Sequence, residues 1–178
     1  TFNDGERVEG FSNPCWTLCE AALLRLGMDG VAAMKLLGLS CALSAVLLVW
    51  RLEERLGLGG WAGLGALWAA SHPSFLMYAS SGMEAPMAAA ALAAGALALA
   101  RAEAAGRPPG VGAALALALA ALTRPETGLA FPIALLPWAW RVLRGKIPWR
   151  SLVPFVLAFA LPLAAAALAR GLYFGTTV

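Results

Sequence analysis

From Ser151 to Ala169 the chain runs 19 residues without a charged side chain. A helix rising about 1.5 Å per residue needs about 20 apolar residues to cross a bilayer core of about 30 Å. This run is therefore read as a membrane span. Five more apolar stretches, at roughly 30–50, 61–79, 85–101, 110–123 and 128–143, are separated by short polar or Gly/Pro-containing joints. The fourth and fifth are short. The expected fold is an all-α, polytopic integral membrane bundle of about six transmembrane helices.

Ahead of the first span, Ser12 to Met28 mixes apolar residues with Glu20 and Arg25, which suits a juxtamembrane helix lying at the surface. Residues 1–29 then form an outer loop and this helix, and 30–178 a partial transmembrane bundle. With 61% hydrophobic and 13% charged residues, neither a water-soluble monomer nor a disordered chain fits. The start at Thr1 and the stop at Gly175–Val178 lead us to expect a piece of a longer membrane protein.

The net charge of +3 comes with no basic stripe interleaved with aromatics, so no nucleic-acid partner is expected. Cys15, Cys19 and Cys41 lack a CxxC spacing, and His72 cannot complete a zinc site with them. Cys15 and Cys19 share a helix face, which reads as packing. His72 precedes Pro73 inside the second span, where a kink-associated buried histidine is expected.

Charge in the joints gives an orientation. Those at 51–60, 101–109 and 141–150 hold eight of the 13 basic residues and three of the 10 acidic ones. By the positive-inside rule this end is cytoplasmic. The N-terminal segment, Ser80–Glu84, Thr123–Glu126 and the C-terminal tail then face out. Trp50, Trp61, Trp138, Trp140 and Trp149 fall at or near the cytoplasmic interface, where indole rings settle. The Ala/Gly runs Met87–Ala100 and Gly112–Leu122 predict close helix packing.

Polar residues that interrupt apolar helices are costly, and here they gather on the outer side. Ser81-Gly82-Met83-Glu84 and Thr123-Arg124-Pro125-Glu126 both read S/T-x-x-E before an apolar run, the capping-box pattern. Glu84 and Glu126 either cap helices or bind substrate. Two helix starts opening beside Arg124, with a third at Asn13-Pro14, make a phosphate-binding mouth. Arg124 offers a planar fork suited to phosphate, with Arg7, Lys35 and Arg170 as weaker candidates on the same side. For Arg170, snorkelling to the headgroups is the simpler role. Asp4, Glu6 and Glu9 in the outer loop are candidates for a general base or a ligand of a divalent metal.

Several segments taken in order carry a resemblance: Phe2-Asn3-x-Gly5-Glu6-Arg7-Val8-Glu9-Gly10-Phe11-Ser12-Asn13-Pro14-x-Trp16, then Ser81-Gly82-Met83-Glu84, Thr123-Arg124-Pro125-Glu126 and Tyr173-Phe174-Gly175. They look like the ordered motifs of GT-C superfamily polytopic membrane glycosyltransferases. The chain most resembles the branch of the terminal cell-wall arabinofuranosyltransferases and their uncharacterised bacterial relatives.

The resemblance implies transfer of a sugar from a polyprenyl-phosphate carrier to a cell-envelope glycan or lipid acceptor, at the extracytoplasmic face of the inner membrane. It implies an inverting reaction with a catalytic aspartate upstream of Thr1. Arg124, Glu84, Glu126, Glu9, Arg7, Asn13 and Ser81 would belong to the substrate-binding set. No cofactor is required beyond the donor, and a divalent metal is left open. A secondary transporter half or a non-catalytic membrane assembly subunit are the competing classes.

Overall fold

A computed structural model describes residues 13–174. Among the described residues all regular structure is helical: α1 (Pro14–Arg25), α2 (Gly30–Arg55), α3 (Leu64–Ser71), α4 (Pro73–Ser81), α5 (Ala85–Ala104), α6 (Val111–Thr123), α7 (Ala130–Leu143) and α8 (Val153–Phe174). Short 3-10 turns at Gly59–Trp61, Pro125–Leu129 and Trp149–Leu152 lead into α3, α7 and α8.

Each expected apolar stretch is helical, but the stretches differ in length. Gly30–Arg55, Ala85–Ala104 and the continuous run Trp149–Phe174 are long and apolar enough to cross a membrane. The second stretch divides into α3 and α4, because Pro73 has no N–H to continue the helix and pushes His72 to extended backbone, φ −70° and ψ 122°. His72 is half-buried, its ring 5.1 Å from that of Trp68. α6, with 13 residues, is bounded by Pro108-Pro109-Gly110 and by Arg124-Pro125, where Arg124 is extended at φ −142° and ψ 108°. α7 has 14 residues and contains Pro137.

α2 starts at Gly30 for a local reason, since the Asp29 side chain accepts from the N–H of Ala32 at 2.8 Å and caps the helix. α1 packs on α2 and α6 and buries Trp16. The most extensive pairings are α2 with α5 and α5 with α6. Their small side chains, among them Ala88, Ala91, Ala113 and Ala114, are almost fully buried and let the backbones approach. The core centres on Ala113, Ala114, Leu117 and Phe155. Phe131 of α7 stacks on Phe155 and Phe159 of α8, with centroids 5.1 and 3.8 Å apart.

Backbone contacts bring α2 against the turn between α4 and α5. A methyl group at Gly38 would sit 2.9 Å from the carbonyl oxygen of Ala79. Gly82 adopts φ +75°, ending α4 in the left-handed region, and its own missing Cβ faces the backbone nitrogen of Lys35 at 3.3 Å.

The joints thus sort to two ends of the bundle. At one end Arg141 pairs with Glu103, and Arg51, Arg55 and Arg101 line a common recess. Arg141, Arg144 and Arg150 lie over the rings of Trp138, Trp140 and Trp149. At this end Glu53 also holds the start of α3, its two carboxylate oxygens accepting from the N–H groups of Gly63 at 2.8 Å and Gly65 at 2.7 Å. The other end carries the α4–α5 turn and the α6–α7 turn.

Candidate functional site

α5 and α6 form a hairpin whose outer ends meet. Glu84 precedes the first helical residue of α5, and Arg124 follows the last of α6. The guanidinium of Arg124 lies between two carboxylates. Its Nε donates to Glu126 Oε1 at 2.6 Å, and its Nη1 is 3.9 Å from Glu84 Oε1. The Glu84 side chain is 18% exposed, that of Arg124 37% and that of Glu126 59%, so the cluster runs from a sheltered to an open side.

The turn that presents Arg124 is closed by Thr127, whose N–H and Oγ1 both donate to the Arg124 carbonyl, at 2.9 and 2.7 Å. Pro125 then starts the 3-10 turn toward α7. On the open side the Glu126 carboxyl is held below the ordinary carboxylate range, first by its own backbone N–H and then by Arg124.

The two expected capping boxes do not form. Ser81 Oγ donates backward to the Tyr78 carbonyl at 3.2 Å, and Thr123 Oγ1 to the Leu119 carbonyl at 2.7 Å. Both hydroxyls belong to the ends of α4 and α6, because Gly82 and Arg124-Pro125 terminate those helices one residue later. Glu84 occupies the cap position of α5 itself, yet its side chain makes no cap bond. Its carboxylate is engaged with Arg124 instead, as Glu126 is.

Asn13 and Pro14 do begin α1, without a side-chain cap bond from Asn13. Instead Thr17 Oγ1 lies 3.3 Å from the Asn13 carbonyl and from its Oδ1. The next residue, Cys15, belongs to α1, which packs on α6, the helix that ends at Thr123. Burial, and next Cys19, raise the Cys15 thiol above its ordinary value. Cys15, Cys19 and Cys41 are all free thiols. Ser81 is exposed at the end of α4, one residue from the Gly82 turn that touches α2.

Lys35 is exposed on α2, whose backbone there touches Gly82. Arg170 is half-buried near the end of α8. Tyr173 and Phe174 pack edge to face, with centroids 4.8 Å apart. The candidates Arg7 and Glu9, together with Asp4 and Glu6, lie outside the described residues.

No group of three or more His, Cys, Asp or Glu able to hold a metal occurs among the described residues. Glu84 and Glu126 cannot serve as a metal pair as they stand, because Arg124 already supplies the cation between them. The cluster can instead present an oriented guanidinium beside two hydrogen-bond-accepting carboxylates. The pattern S/T-x-x-E located it for the wrong reason; the acid–Arg–acid grouping at one face was the informative signal. The chain matches no protein-family model, no characterised protein and no solved structure.

Proposed function

We propose that the chain is the membrane bundle of a GT-C-like glycosyltransferase that takes a sugar from a polyprenyl-phosphate carrier and passes it to a cell-envelope glycan or lipid. The observation that carries this is Arg124, held between Glu84 and Glu126 at one end of an apolar bundle with part of its surface open. A guanidinium fixed in orientation suits a phosphate, and carboxylates at its flanks suit sugar hydroxyls.

The chemistry is an inverting displacement. An acceptor hydroxyl attacks the anomeric carbon, the bond from that carbon to the phosphate oxygen breaks, and polyprenyl phosphate leaves. The hydroxyl proton passes to a carboxylate base. Arg124 stabilises the charge that grows on the departing phosphate. Glu84 and Glu126 orient the guanidinium and accept hydrogen bonds from the sugar.

The topology is six crossings of the inner membrane, with the Arg-rich end cytoplasmic and the Arg124 cluster extracytoplasmic. Alternation of the joints between the two ends supports an even number of crossings. α6 falls short of a bilayer by length, but its burial among α1, α5 and α8 residues means that protein rather than lipid surrounds much of it. Shorter elements cross where the bilayer thins around them.

The test is turnover by the full-length polypeptide in proteoliposomes supplied with a polyprenyl-phosphate sugar and envelope acceptor. Release of polyprenyl phosphate that depends on the acceptor is expected. Absence of cleavage with pentose and hexose donors alike would overturn the proposal. A second reading, a secondary transporter half, is favoured by the helix break at His72–Pro73 in the middle of the second apolar stretch. Solute uptake without bond cleavage in the same proteoliposomes would select it.

A further inference from the structure

We propose that the Arg-rich end carries a separate site for the phosphodiester headgroup of an anionic membrane lipid, in the recess between the ends of α2 and α5. The recess has a volume of about 490 Å³ and is lined by Arg51, Glu54, Arg55, Leu97 and Arg101. Its construction follows from helical spacing. Arg51 and Arg55 stand one turn apart on one face of α2, and Leu97 and Arg101 one turn apart on the facing side of α5.

Charge in the recess is unbalanced. Glu54 is engaged by Arg51 at 3.5 Å. Among the described residues Arg55 and Arg101 enter no ion pair. A second recess shares Arg101 and is lined also by Arg107. The one apolar side chain in the lining, Leu97, is almost fully covered, and the open apolar surface beside the recess is that of Leu43 and Leu47, two turns and one turn before Arg51 on α2.

A cationic recess beside an exposed apolar helix face fits a phosphate that continues into a glyceryl ester and acyl chains. An inorganic anion has no use for that face. The position also fits, because the recess opens where the two longest-packed apolar helices end and beside Trp50, which remains 47% exposed. Basic pockets between membrane helices recognise anionic headgroups in this way. The site is independent of sugar transfer at the opposite end and rests only on the chain spanning a membrane.

The experiment is native mass spectrometry of the full-length polypeptide released from neutral-detergent micelles. It is titrated separately with phosphatidylglycerol, phosphatidylcholine and inorganic phosphate. Phosphatidylglycerol should be retained in preference to phosphatidylcholine, and R55Q combined with R101Q should weaken its binding about 30-fold, the effect of two surface arginines. Helix content by circular dichroism checks that the variant folds. Should it not fold, R55K with R101K, which keeps charge and loses the planar forks, should weaken binding by a smaller factor. Wild-type retention should in any case fall as salt rises. Equal retention of the two lipids, salt-independent binding, or a preference that survives the double glutamine variant would overturn the proposal. Displacement of phosphatidylglycerol by an equal concentration of inorganic phosphate would show a free-anion site and overturn the lipid assignment.

Discussion

Glu84 and Arg124, at the two arms of the open end of the α5–α6 hairpin, approach to 3.9 Å between Oε1 and Nη1. The contact follows from antiparallel packing of the small-residue faces of α5 and α6, which sets the two outer ends side by side. It also gives Glu84 a task other than capping. Its distance is long for a hydrogen bond, so the pair holds position by charge.

Glu84→Gln should therefore leave folding near normal and reduce sugar transfer markedly, because glutamine keeps the size of the side chain and removes the charge facing Arg124. Transfer assayed beside helix content by circular dichroism separates the two effects. Full transfer with Glu84→Gln, together with destabilisation by Glu84→Ala, would return the residue to a purely structural role.

Gly82→Ala should destabilise the bundle by about 1–2 kcal/mol, since an L side chain in the left-handed region is strained. Gly38→Ala should cost a comparable amount, about 1–3 kcal/mol, because its methyl would press on the Ala79 carbonyl. Denaturant unfolding in micelles measures both. Unchanged midpoints would mean that α2 and the α4–α5 turn are not in backbone contact.

How much of this arrangement is legible in the sequence depends on the range of the interaction. Helix limits set by local chemistry are readable: Asp29 before α2, Pro86 at the start of α5, Pro125 after α6. The S/T-x-x-E pattern misleads at Ser81 and Thr123, because each hydroxyl bonds back into the helix it ends, α4 or α6, and opens no following one. Contacts between distant segments leave little mark on the sequence. Glu53 counts there as one more charge in a joint, although it binds the N–H groups of Gly63 and Gly65. The shortness of α6 is legible from its prolines and glycine, whereas its place in the interior is not.

Glu53→Ala should loosen the start of α3 and lower stability by about 1–3 kcal/mol, the range for losing a charge-assisted hydrogen bond. Hydrogen exchange should rise at the Gly63 and Gly65 amides before it rises in α5. Unaltered exchange at these two amides would show that Glu53 does not hold them.

The Glu126 carboxyl has a lowered folded-state value, so its contribution is present above the ordinary carboxylate value of 4.5 and fades as pH falls through the lower folded value. The stability difference between the wild type and Glu126→Gln should stay constant from neutral pH down to about 5. It should shrink only in more acid solution. Thermal unfolding across pH measures this, and a difference that fades between neutrality and about 5 would contradict the assigned pairing.

The measurement that bears most directly on the proposed function is turnover of polyprenyl-phosphate sugar by Arg124→Ala in the full-length polypeptide, compared with Arg124→Lys and the wild type. Loss of an oriented cation from the departing phosphate should lower turnover about 100- to 1,000-fold, and lysine should restore only part of it, for want of a planar fork. Circular dichroism and the unfolding midpoint control for loss of the Glu84 and Glu126 contacts. Wild-type turnover in a normally folded Arg124→Ala protein would contradict the account, leaving Arg124 as a clasp between two turns.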